Sequence, residues 1–191
     1  MFKKVALTMA LAVTVAPAAV AATGSAAWAA ENYPQGLRSV NNSQMYMDVT
    51  GGSRTPGTKI IQWTANAGNQ WYASLGPNQQ WMLPINADGS FDRATGAIKN
   101  VNSGLCMETG GIAGYPVYQW TCNGSDHQQW RLEVFYQWDW ADFQVVSHTR
   151  IVNPMSGLVL DVNQGSKNAG ASIIVWPAHG GDNQAWDISR L

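Results

Sequence analysis

Charge is scarce in this chain. Of 191 residues only 12% are Asp, Glu, Lys or Arg, and 11 basic against 12 acidic residues leave a formal net charge of −1. No basic cluster exceeds the Lys3-Lys4 pair. A nucleic-acid or heparin-type partner needs a basic footprint that releases counterions, so the composition argues against both. Histidine is also sparse: His127, His148 and His179 are the only three, and none stands at metal-ligand spacing. The chain has no Gly-x-Ser-x-Gly elbow, no His-Glu-x-x-His and no phosphate loop. Asp139 and Asp142 are the nearest approach to a glycosidase pair, but they lie in an aromatic linker with no predicted cleft. The chain is therefore expected not to be an enzyme and to use no metal or cofactor. Long apolar runs are missing too. The longest, Val5–Val15, falls well short of the roughly 20 residues needed to span a bilayer. No sustained helical period appears. What is abundant is Trp (10) and Gly (19), which with so little charge describes a chain able to bury a core.

The N-terminus reads as an address. Met1-Phe2-Lys3-Lys4 precedes the apolar run, and an Ala-rich tract follows with Ala27-Trp28-Ala29 as the best cleavage box and Ala19-Val20-Ala21 as the second. Residues 1–29 are expected to be a secretory signal peptide, leaving a secreted domain over residues 30–191 with no membrane insertion. Removing Lys3 and Lys4 takes the mature charge to 9 − 12 = −3. In an oxidising compartment the two cysteines, Cys106 and Cys122, are expected to form a structural disulfide.

Three landmarks recur three times in the same order. The first is an apolar segment closing on a carboxylate: Met45–Asp48, Leu105–Glu108 and Leu158–Asp161. The second is a segment ending in tryptophan: Ile60–Trp63, Val117–Trp120 and Ile173–Trp176. The third is Gln-x-Trp behind a polar residue: Asn78 before Gln79-Gln80-Trp81, His127 before Gln128-Gln129-Trp130, and Asn183 before Gln184-Ala185-Trp186. Trp120 to Gln128 and Trp176 to Gln184 are both 8 positions, whereas Trp63 to Gln79 is 16, an insertion within Asn66–Pro77 that carries Asn69-Gln70-Trp71-Tyr72. Carboxylate to tryptophan is 15 positions in the first and third copies and 12 in the second. The segments are short, β-branched or aromatic, and separated by Gly, Asn and Pro, which predicts an all-β domain. Three such units can close into a barrel with a hairpin cap and so remove most exposed edges.

The Gln-x-Trp triplets, in register with their upstream Asp, Trp and Asn-Gln pairs, resemble the ricin B-chain type lectins over residues 36–190. The resemblance implies a β-trefoil of three repeats, barrel plus hairpin cap, with pseudo-three-fold symmetry. Cys106 and Cys122 also stand where such domains often bridge a repeat. A sugar offers a weakly apolar C–H face and a ring of hydroxyls. It is held by an aromatic plate, an acceptor-only carboxylate and amides that donate and accept. Asp48, Trp63, Asn78 and Gln79 supply that set in the first copy, and Asp161, Trp176, Asn183 and Gln184 in the third. The resemblance places the sugar pocket on these positions, with Gln79 and Gln184 divided between ligand and backbone. The competing, weaker reading makes Asp48 and Asp161 turn caps, and Trp63 and Trp176 half-buried strand residues. Asp161 is expected at the surface, so that Asp161→Ala should remove third-copy binding without unfolding the domain. Where the family often has Gln two residues before the aromatic, Ile61, Tyr118 and Ile174 stand here.

The second copy reads as a degenerate site. Glu108 lengthens the carboxylate arm and His127 replaces Asn, although Trp120 and Gln128 remain. Trp81, Trp130 and Trp186 are expected in the core. Between copies two and three, alternation along Phe135–Phe143 places Tyr136, Trp138 and Trp140 on one side of a strand. This segment is expected either to pack on the barrel as a longer hairpin or to expose an aromatic patch for a partner. The reading is a secreted, metal-free lectin whose partners are glycans, galactose-type or plant or cell-surface polysaccharide. The alternative is a non-catalytic cell-binding or adaptor subunit of a secreted toxin or enzyme complex, docked through residues 135–143.

Overall fold

A computed structural model describes residues 33–66, 75–139 and 142–190. The expected leader, Asn69–Tyr72 of the insertion, and Trp140 lie outside the described residues. Among the described residues thirteen strands follow one another with five single-turn 3-10 helices, and there is no α-helix. The first copy holds β1 (Gln35–Ser39), β2 (Met45–Val49), β3 (Ile60–Thr64) and β4 (Gln80–Met82). The second holds β5 (Thr95–Gly96) and β6 (Lys99–Asn100), which are two pieces of one stretch, then β7 (Cys106–Glu108), β8 (Tyr118–Trp120) and β9 (Trp130–Asp139). The third holds β10 (Gln144–Val152), β11 (Val159–Val162), β12 (Ile173–Trp176) and β13 (Trp186–Arg190).

Pairing closes these into a ring. β1 pairs with β13 and with β4, β4 with β6, β5 with β9, β9 with β10, and β10 with β13. Every neighbour in that circuit is antiparallel, so the barrel wall needs no crossover helix. The remaining strands form three hairpins, β2–β3, β7–β8 and β11–β12. Single bridges tie each hairpin to the other two: Lys59 to Tyr118, Ile61 to Ser172, and Pro116 to Ile174. The result is a β-trefoil, a barrel capped by a hairpin triplet.

Alternation decides which side chains fill it. On β2, Met45, Met47 and Val49 face the core while Tyr46 and Asp48 point to the other face, as a period of two requires. Trp81, Trp130 and Trp186 are fully buried together with Met47, Met107 and Leu160, the residues that precede the three carboxylates. Trp81 Nε1 donates to Met47 O (3.1 Å) and Trp130 Nε1 to Met107 O (2.9 Å), so each indole also satisfies its polar edge. Trp186 Nε1 makes no such bond, the one break in symmetry among the three.

Three glycines carry the junctions between copies. Gly57, Gly114 and Gly170 have φ of +85°, +85° and +87°, a region L side chains rarely enter. Their N–H groups donate to Gln119 O, Val175 O and Gln62 O of the next hairpin, at 2.7, 2.8 and 2.8 Å. A Cβ on each would stand 3.3, 3.4 and 3.5 Å from the indoles of Trp120, Trp176 and Trp63. Each second-landmark tryptophan therefore lies against a glycine turn of a different copy, and the three contacts run in one sense around the ring.

β9 and β10 pair from Arg131↔Val152 to Asp139↔Gln144, far beyond the barrel wall. The base of this ribbon is anchored: the Arg150 guanidinium sits 5.1 Å over the Phe135 ring, and His148 Nδ1 meets Asp187 Oδ1 at 2.6 Å. Its outer part is exposed, with Tyr136, Trp138, Phe143 and Val145 all open to solvent. The segment is thus a longer hairpin packed at its base and exposed at its outer end. Cys106 and Cys122 form the disulfide, tying β7 to the chain just past β8.

Candidate functional site

Two pockets lie at equivalent places on the first and third copies. The first, about 450 Å³, is walled by Asp48, Ile61, Trp63, Asn66, Asn78 and the turn Thr50–Gly52. The third-copy pocket, about 510 Å³, is walled by Asp161, Ile174, Trp176, His179, Asn183 and the turn Asn163–Gly165. Trp63 and Trp176 are 42% and 44% exposed, so each keeps an open ring surface, and a glycine of another copy lies against each ring. Pairing sets the rest: Asp48 is opposite Ile61 and Asp161 opposite Ile174 on the hairpin face that carries the indole.

The carboxylates are not surface groups. Asp48 and Asp161 are each 3% exposed, against the expectation for Asp161. Strand pairing sinks them beneath the turn that follows, and amides replace the lost water. Asn78 Nδ2 (2.9 Å) and Asn66 Nδ2 (3.2 Å) donate to Asp48 Oδ2. Asn183 Nδ2 and Gln184 Nε2 donate to Asp161 Oδ2, both at 2.8 Å, and His179 Nε2 stands 3.4 Å from the same oxygen. Burial pushes the Asp48 carboxyl up to about 6, against the opposing pull of the Gln79, Asn78 and Asn66 amides. Truncating Asp161 to Ala would thus take one acceptor from the buried Gln184 amide and the acceptor of the half-buried Asn183, so that variant tests folding as well as binding.

Gln79 and Gln184 behind the pockets, and Gln128 at the equivalent place in the second copy, are buried with both ends of their amides engaged. Each accepts the backbone N–H of an equivalent loop residue at its Oε1: Asn66 (2.8 Å), Asn123 (2.9 Å) and His179 (2.8 Å). Each donates from Nε2 to a loop carbonyl: Thr64, Thr121 and Pro177. They fix the loop that presents Asn66 or His179 to the carboxylate, so their role in the pocket is positional. This equivalence also identifies two pocket residues, Asn66 and His179, that repeat alignment does not single out.

The second copy is filled from within. Tyr118, at the place of Ile61 and Ile174, donates its hydroxyl to Glu108 Oε1 (3.1 Å), while Gln128 Nε2 donates to Oε2 (2.6 Å). Burial, followed by Glu108, raises the Tyr118 phenol above its ordinary value, which keeps that donor protonated. The Tyr118 ring stands edge-on to Trp120 at 6.2 Å. His127 turns away and bonds Thr109 O at 2.9 Å. The three residues missing between Glu108 and Trp120 also remove the 3-10 turn that walls the other two pockets.

The amide expected two residues before the aromatic has a structural counterpart one position later. Gln62 donates to Ser166 O and Asn168 O, both at 2.8 Å, and Gln119 to Ser53 O (2.9 Å) and Thr55 O (3.1 Å). These buried amides clamp a neighbouring copy's turn and leave the position that faces the carboxylate to Ile61 or Tyr118. Gln164, at φ +58° in the third-copy turn, takes the left-handed conformation that Gly51 takes in the first.

Residues 77–141 and 136–191 match the ricin-type beta-trefoil lectin domain-like family, and the chain belongs to it. Among solved structures, the designed three-fold symmetric protein ThreeFoil is 28% identical, with a TM-score of 0.62 over 83% of this chain and 99% of its own. An exo-beta-1,3-galactanase from Clostridium thermocellum is 26% identical, with a TM-score of 0.65 over 86% of this chain and 31% of its own. The earthworm R-type lectin C-half, solved in complex with GalNAc, is 22% identical and shares the fold at a TM-score of 0.58, over 83% of this chain and 99% of its own. No curated protein matches the chain.

Proposed function

We propose that the protein is a secreted lectin that binds galactose-type sugars, or polysaccharides that carry them, without metal and without catalysis. The observation that carries this reading is the pair of pockets, each combining a half-exposed indole with a buried carboxylate and a donor amide. The indole stacks on the C–H face of a pyranose, and the carboxylate accepts from two neighbouring hydroxyls. Asn78 and Asn183 add a donor at the rim. The galactanase and the GalNAc-bound earthworm lectin support the choice of a galactose-type ligand. A single shallow pocket of this kind gives on the order of −4 kcal/mol, millimolar affinity, and two on one rigid body raise avidity for multivalent glycans. A glycan array probed in EDTA tests the reading. Retention on galactose-bearing glycans is expected, and a blank array from folded protein would remove it. The exposed outer part of the β9–β10 ribbon favours one second reading, an adaptor subunit docked through Tyr136, Phe143 and Val145. Co-purification of a partner that is lost on Tyr136→Ser would support that alternative.

A further inference from the structure

We propose that the third-copy pocket binds two linked sugar residues where the first-copy pocket binds one, and that Gln164 makes the difference. This rests on the lectin reading and names the ligand that each of its two sites prefers.

The two pockets share a carboxylate floor and an indole, and they part at the turn that follows the carboxylate strand. In the first copy that turn is Thr50-Gly51-Gly52, and in the third it is Asn163-Gln164-Gly165. The middle residue is left-handed in both, Gly51 at φ +64° and Gln164 at φ +58°. A Cβ crowds the backbone in that region, and Gly51 shows that the turn closes without one. Gln164 therefore carries a conformational cost, and its side chain makes no bond in return. It is exposed, and its amide is bonded to none of the described residues. Strain of this kind is held where a function uses it, and Gln164 stands on the pocket wall. The turn is fixed from another copy. Asn41 Nδ2 donates to Gly165 O (3.0 Å) and Ser166 O (2.9 Å), and Gln62 Nε2 also donates to Ser166 O, so the amide is presented on a rigid backbone.

Strand register shows what that amide can reach. Trp176 pairs with Val159, two residues before Asp161, and the turn begins two residues after Asp161. The indole and the turn therefore stand on opposite sides of the carboxylate. A pyranose stacked on Trp176 uses its C–H face on the indole and two hydroxyls on Asp161. A second residue linked to it and leaving over the turn passes Gln164, whose amide can donate and accept at once. Asn163, equally unbonded at its side chain, lines the same wall. In the first copy the same path is bare. Gly51 and Gly52 have no side chain to offer, and Thr50 Oγ1 is engaged with Lys59 O at 2.8 Å.

Site-resolved titration separates the two. Indole N–H signals of Trp63 and Trp176 are assigned with Trp63→Phe and Trp176→Phe. Galactose and three β-linked galactobioses that differ only in linkage are then titrated. At Trp176 at least one galactobiose should bind about fivefold more tightly than galactose, the gain from one added hydrogen bond. At Trp63 the same disaccharide should show no such gain. Gln164→Gly, which gives the turn its first-copy form, should bring the disaccharide-to-monosaccharide ratio at Trp176 down to that at Trp63. Unchanged signals from the buried indoles of Trp81 and Trp130 show that the variant is folded. A gain at both indoles, at Trp63 only or at neither would overturn the proposal and leave the lectin reading standing. A gain at Trp176 that survives Gln164→Gly, or a sugar response at Trp63 alone, would do the same. No shift at either indole with any of these sugars would overturn the galactose reading itself, and this inference with it.

Discussion

A carboxylate buried among neutral amides is a burden on the fold that holds it. Asp48 is a more proton-hungry group in the folded protein than in the unfolded chain, so its contribution to stability is greatest below about pH 4. That contribution is lost as pH rises through about 6, in total roughly 3 kcal/mol for a shift from 3.8 to about 6. Asp48→Asn should therefore raise the unfolding midpoint at pH 7.5, by up to roughly 3 kcal/mol, and bring little or no gain at pH 4. The same variant should lose sugar binding at the first pocket, a trade of stability for function that chemical denaturation at the two pH values reads directly. In the second copy, Tyr118→Ile should free Glu108 and open space beside Trp120 without generating an affinity comparable to the other sites, because the walling turn is still missing. A sugar titration of that variant, with no shift expected at the Trp120 indole, checks this. At this scale the sequence was informative wherever residue type and repeat position coincided. Asp48, Trp63, Asn78, Asp161, Trp176 and Asn183 all line pockets. The positional role of the three glutamines, the depth of the carboxylates, and the pairing of Asn66 with His179 were hidden, because each depends on which way a loop folds back.

The hairpins were legible as elements because most of their strands are short apolar runs with β-branched or aromatic residues, flanked by turn residues. The two-piece strand β5–β6 was not, since Thr95-Gly96 and Lys99-Asn100 carry no strand pattern and pair only because β9 and β4 present edges to them. Asn100 and Asn153 were also overlooked. Each is buried and spans two turns, donating to Asn78 O and Gln80 O, or to Asp126 O and Gln129 O, in the loop that ends the preceding copy. Beyond the barrel, a two-stranded ribbon has marginal stability of its own, so its outer residues should contribute little to the global fold. Tyr136→Ser with Val145→Ser should change unfolding free energy by less than about 1 kcal/mol and leave sugar affinity intact. The disulfide is a different kind of element. Replacing Cys106 and Cys122 with Ala releases a loop of 16 residues and should cost about 3 kcal/mol. Thermal melts of that variant should show the loss, while sugar binding persists, since the bridge lies in the copy where Tyr118 fills the place of the other two pockets.

At the scale of the molecule, the pockets belong to the ring and not to single repeats. The turn that supports Trp63 is in the third copy and the turn that supports Trp176 is in the second. Gly170→Ala should strain a backbone at φ +87° and press a methyl group 3.5 Å from the Trp63 indole. Its sugar-binding loss should appear at the first-copy pocket, more than a hundred residues away in sequence, with the third-copy pocket unaffected. Site-resolved titration checks both halves of that expectation. The three-fold arrangement was readable from the repeat itself, but this interlock was not, because a glycine at a turn gives no sign of which indole it will meet.

That interlock bears on ancestry. A peptide of one repeat length would hold its tryptophan with no glycine floor beneath it and its strands with both edges bare. It could bind a ligand only by gathering two more copies of itself. A chain of this kind therefore descends most simply from a self-assembling trimer whose gene was later copied in tandem. In a fused chain the middle unit can lose its pocket and still brace the indole of the unit that follows, as Gly114 does for Trp176.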